Sequence, residues 1–101
     1  MSIVKQLTDE IDEIVSKLDK LTEPINKIRS ESKDSNMRIY GDSLYGIVNT
    51  IRANATLLRT LVSIKGSRIT PSEVEDTKKR IANLKKIVSS INASLEVILK
   101  T

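Results

Sequence analysis

Apolar residues recur along this chain at alternating spacings of three and four, in three long runs. Val4, Leu7, Ile11, Ile14, Leu18, Leu21, Ile25 and Ile28 make the first run. Met37, Tyr40, Leu44, Ile47, Ile51, Asn54, Leu58 and Leu61 make the second, with Val48, Ala55 and Val62 widening it. Val74, Thr77, Ile81, Leu84, Val88, Ile91, Leu95 and Ile98 make the third. Such spacing keeps each set on one side of an α-helix. The pattern predicts helices over about residues 3–29, 37–65 and 71–100.

Punctuation between the runs agrees with this division. The stretch Ser30–Asn36 is polar and rich in helix-capping types, so Ser35 or Asn36 is the expected cap of the middle helix, with Asp42 or Ser43 a later alternative. Gly66 suits the residue after a helix end. Thr70, Pro71 and Glu73 spell a capping box with proline in the first helical turn, and Ile69 and Val74 stand where a hydrophobic staple needs them. Pro24 falls late in the first run without disturbing its rhythm, which predicts a bend near Lys20–Glu23 and not an end.

Three helices of similar length, each about 40 Å long at about 1.5 Å per residue, joined by short connectors, must run antiparallel to their neighbours. The expected fold is all-α: an antiparallel up-down-up three-helix bundle in a single domain over residues 1–101. The alternative is a helical hairpin that completes its core only as a dimer. Asn54 and Thr77 are the polar members of the inner stripes, positions that usually set register.

The outer face of the middle helix is unusual. Arg38, Tyr45, Arg52 and Arg59 recur every seven residues, with Asn49, Thr56 and Ser63 on one flank and Gly46, Ala53 and Thr60 on the other. No acidic residue occurs from Ser43 to Lys65. A solvated helix face normally interleaves Lys and Glu. This one has the composition of a surface that is covered.

Charge sharpens the picture. The net charge is +4, but residues 1–36 hold six Lys/Arg against eight Asp/Glu, and residues 37–101 hold eleven against five. Asp9, Glu10, Asp12 and Glu13 lie in the first turns of the first helix, where the helix dipole favours them. The third helix carries the seven-residue repeats Lys78/Lys85 and Lys79/Lys86. Cations at such intervals match a phosphate backbone, arginine forks match phosphate oxygens, and Tyr45 could stack on a base.

Chemistry is sparse by comparison. There is no His and no Cys, which removes the imidazole base, the thiol nucleophile and the commonest metal ligands. GDSLYG lacks the lysine and the preceding strand of a phosphate loop. No catalysis, cofactor or metal is expected. The start of the chain turns acidic where a secretory leader would be apolar, and no apolar run is long enough to span a membrane, so a cytoplasmic protein is expected.

These observations predict a small basic non-enzymatic protein that binds a nucleic-acid backbone as an accessory subunit of a larger nucleoprotein complex. Arg38, Tyr45, Arg52, Arg59, Lys78, Lys79, Lys85 and Lys86 are the candidate contacts. The alternative is a structural protein acting through helix–helix self-association or a protein partner, with Gly46, Asn49, Ala53, Thr56 and Thr60 at the interface. The apolar run Leu95–Leu99 adds to that alternative.

Overall fold

The structure is a computed structural model and describes residues 2–100. It contains three helices, α1 (Ile3–Glu31), α2 (Ser35–Lys65) and α3 (Pro71–Lys100), with a single 3-10 turn at Gly66–Arg68. The core closes within one chain, as a three-helix bundle of 52 × 19 × 19 Å. Residues of α2 followed from Asp42 through Arg52 to Arg59 meet Arg29, Asp19 and Asp12 of α1 in descending order, so the two helices run antiparallel. α1 packs along both other helices and most extensively on α2, whereas α2 and α3 touch least.

Each boundary has a local cause. Ser2 caps α1 by accepting the Lys5 N–H at 3.1 Å. α2 starts slightly earlier than the apolar pattern indicates, because Asp34 and not Ser35 or Asn36 is its cap, accepting the Asn36 N–H at 2.9 Å. Gly66 takes φ +52 and ends α2 by donating its N–H to the Val62 carbonyl, a backbone state that other residues rarely adopt. At the start of α3, Thr70 N–H donates to Glu73 Oε1 at 3.0 Å, and Glu73 N–H donates to Thr70 Oγ1 at 3.1 Å. Lys65 reaches the same carboxylate at 3.0 Å. The Thr70 backbone and Lys65 together hold the Glu73 carboxyl below its usual range. α1 runs unbroken through Pro24.

α1 buries its whole stripe from Leu7 to Ile28, and α3 buries Thr77, Ile81, Leu84, Val88, Ile91 and Leu95. α2 departs from expectation. Its buried residues are Gly41, Leu44, Val48, Ile51, Ala55 and Val62, so the helix is rotated relative to the stripe read from the sequence. Tyr40, Ile47 and Leu61 remain 40%, 45% and 53% exposed, and Asn54 is also exposed. One cause is close approach of α1. A Cβ on Gly41 would stand 3.0 Å from the side chains of both Ile28 and Arg29, so a small residue is needed there. Asn54 therefore sets no register inside the core, and Thr77 instead donates its hydroxyl to the Glu73 carbonyl at 2.7 Å.

Replacing Thr70 by Ala should remove a cap worth about 1 kcal/mol and lower the thermal midpoint without loss of helicity. A midpoint equal to that of the parent would place the start of α3 elsewhere.

Candidate interaction surface

Arg38, Tyr45, Arg52 and Arg59 do share one side of α2, but that side faces α1. Arg59 Nε donates to Asp12 Oδ1 at 2.6 Å, and its Nη2 donates to Asp12 Oδ2 at 3.2 Å. This hydrogen bond with Asp12 keeps the Arg59 guanidinium above its ordinary pKa. Arg52 Nη2 lies 2.7 Å from Asp19 Oδ1 and 3.1 Å from Thr22 Oγ1, and its Nη1 donates to Asn49 Oδ1. Its buried Nε has no hydrogen-bond partner among the described residues. Tyr45 is half-buried beneath the Arg29 guanidinium, which sits 3.8 Å from the ring centroid and donates to Asp42 at 2.8 Å. Arg38 donates to the Ser32 carbonyl at 2.8 Å. The carboxylates missing from α2 are thus supplied by α1.

The acidic start of α1 is engaged in the same way. Asp9 holds Lys5, Glu13 holds Lys17, and Glu10 holds Lys85 at 3.2 Å across the α1–α3 contact. Lys78, Lys79 and Lys86 are exposed. Among the described residues no ion pair joins Glu75 to Lys79 or Asp76 to Arg80, although the i,i+4 spacing allows both. Gly46, Asn49, Ala53, Thr56 and Thr60 are exposed.

The rotation of α2 turns a second seam outward. Ser43, Ile47, Thr50, Asn54, Leu57, Leu61 and Ile64 alternate by four and three, the rhythm of a coiled-coil seam. All seven are exposed, with Leu57 at 59% and Ile64 at 64%. Only Arg52 and Arg59 carry charge between Asp42 and Lys65, and both are held against α1. The outward face is therefore uncharged over some six helical turns. The Asn54 side chain makes no hydrogen bond among the described residues, and a Cβ on Gly46 would meet nothing within 4 Å.

Beside this seam runs the shallow groove left where α2 and α3 separate. One hollow of about 570 Å³ is lined by Leu57, Leu58, Leu61, Ile69 and Leu84 together with Asn54, Asn83 and the charged Lys65, Glu73, Asp76 and Arg80. A second, of about 400 Å³, lies among Tyr40, Ile47, Ile87 and Ile91 with Ser43, Ser90 and Ser94. Reading α2 by itself misses the seam because two three–four series interleave there. The series read as the inner stripe takes Tyr40, Ile47, Asn54 and Leu61 from the outward side. The signal was the excess of apolar positions over what one bundle face needs.

Comparison with family models, curated proteins and solved structures finds no match to this chain. Among the described residues, no helix is long and apolar enough to cross a membrane.

If the α1–α2 charge ladder orients α2, Asp12→Asn and Arg59→Gln should each lower the thermal midpoint, and their effects should be non-additive. The coupling should fade between about 0.01 M and 1 M salt, as the screening length falls from about 30 Å to about 3 Å. Additive effects at low salt would remove this pair from the account.

Proposed function

We propose that this protein is a non-enzymatic interaction module whose α2–α3 side binds an amphipathic helix. The observation that carries the reading is the uncharged outward seam of α2 beside the open groove. A helix face left to water gains from charged side chains and loses nothing by carrying them. Leu57, Leu61 and Ile64 in a row, with no charge among them, suit contact with another apolar surface. An amphipathic helix laid in a groove is a recurring solution to such a surface, anchored at three–four spacing. A structural role through helix–helix contact thus becomes the preferred reading. The arginines first assigned to phosphate are occupied by Asp12, Asp19 and the Ser32 carbonyl.

Leu57→Lys/Leu61→Lys tests this directly. Both positions are exposed, so helicity should persist and stability should change by no more than about 0.5 kcal/mol. The face should meanwhile lose its function: either a complex heavier than 11.3 kDa falls to that mass, or binding of the apolar dye anilinonaphthalene sulfonate by an uncovered face disappears. A parent that neither associates nor binds the dye contradicts the reading.

A second reading retains nucleic-acid backbone binding, now centred on α3. Lys78, Lys79, Arg80 and Lys86 are exposed and make no ion pair among the described residues. On this reading Lys79→Gln/Lys86→Gln should make the slope of log affinity against log salt shallower by roughly one to two units, while Asp12-bound Arg59 contributes little to it. No measurable binding of a mixed oligonucleotide at about 50 mM salt would end this reading.

A further inference from the structure

Independently of the docking reading, we propose that α3 is a detachable arm, which leaves the bundle as a unit at the connector 66–70 while α1 and α2 stay paired. The asymmetry of the packing carries this. Release of α1 or of α2 breaks the α1–α2 contact, the most extensive in the molecule. Release of α3 leaves that contact whole. Units held by few apolar contacts open at a lower free energy than the fold as a whole.

The α1–α2 contact is also the closest and the best tied. At Gly41 a Cβ would stand 3.2 Å from the Arg29 backbone nitrogen. Among the described residues three ion pairs cross this contact, Arg29–Asp42, Arg52–Asp19 and Arg59–Asp12, at 2.8, 2.7 and 2.6 Å. α3 is held more loosely. Among the described residues one ion pair joins it to α1, Lys85–Glu10 at 3.2 Å, and one joins it to α2, Glu73–Lys65 at 3.0 Å beside the connector. Hollows of about 570 and 400 Å³ lie between α2 and α3, and their walls forgo the dispersion contacts that a closed seam supplies. Leu7, Ile11, Leu18 and Ile25 of α1 are wholly buried, whereas Leu84, Val88 and Ile91 in the middle of α3 stay 6–9% exposed.

Leaving breaks few polar contacts. The buried Thr77 hydroxyl donates to the Glu73 carbonyl of its own helix, so it gives up no hydrogen bond on release. The reciprocal Thr70–Glu73 bonds that start α3 lie within its first turn and also survive. The open form bares Ile81, Leu84, Val88, Ile91 and Leu95 of α3 and the part of the α1 stripe that they cover. A partner with affinity for either surface acts by raising the population of that form.

Native-state hydrogen exchange of the whole protein in increasing urea tests this. A lone helix melts and re-forms within about 1 μs, so the amides of a released α3 exchange with water. Amides of residues 84–91 should be protected at least about tenfold less than those of residues 11–18 in α1 and 48–55 in α2. Their opening should depend on urea with a slope above zero and below that of α1 and α2, because one helix of three exposes only part of the surface. Equal protection and equal slope in all three helices would overturn the proposal, since the bundle then opens only as a whole. A slope of zero in α3 would also overturn it, because such fluctuations are too small to free a helix. Exchange of α2 together with α3, ahead of α1, would contradict the standing α1–α2 pair.

Discussion

Arg52 and Arg59 meet Asp19 and Asp12 across the α1–α2 contact at 2.7 and 2.6 Å, and this ladder, with the close approach of α1 at Gly41, fixes how α2 is turned about its own axis. Exposed ion pairs add little net stability individually. Their role here is selective: of the rotations open to α2, only those that present the arginine side to α1 give its aspartates partners. Apolar burial points the same way. The series centred on the bundle axis carries Leu44, Val48, Ile51, Ala55, Leu58 and Val62, whereas the competing series carries Ser43, Thr50 and Asn54 among its leucines and isoleucines. Ser43 and Thr50 donate to the Ile39 and Gly46 carbonyls within the helix, but burying the Asn54 carboxamide without a partner costs about 1–3 kcal/mol, so the first series goes inside.

What remains outside is a consequence of that choice. Every α1 carboxylate that meets α2 does so on one side, and the opposite side of α2 keeps no charge of its own. The polar members of the outward seam make it tolerable to water, and its large members make it adhesive. A surface of that mixed kind suits an interface formed after folding better than a core that must close during folding. The α2–α3 separation adds depth beside it, so a docking helix meets two walls and not one.

Much of the architecture was legible in the sequence, and the reason is local chemistry. Thr70, Pro71 and Glu73 specify the start of α3 by hydrogen bonds within one turn, and the stripe from Leu7 to Ile28 has no competitor on α1. α2 was misread where its two series overlap, at Tyr40, Ile47, Asn54 and Leu61, because periodicity within one helix cannot say which of two faces is preferred. The deciding information lay on another element, in Asp12 and Asp19. Folding α1 and α2 back about the connector brings those aspartates to Arg59 and Arg52. Glu73 and Lys65 show the same rule at smaller scale, since a carboxylate read as a cap also receives a cation from the preceding helix.

The rotational setting of α2 is the claim on which the surface depends, and methyl nuclear Overhauser effects measure it most directly. In a sample where contacts within one chain are distinguished from contacts between chains, the methyls of Val48, Ala55 and Val62 should show contacts to the buried methyls of α1 and α3, and those of Ile64 should show none to them within the chain. Intrachain contacts from Ile64 to the buried α1 methyls, with Val48 and Ala55 lacking them, would contradict the account.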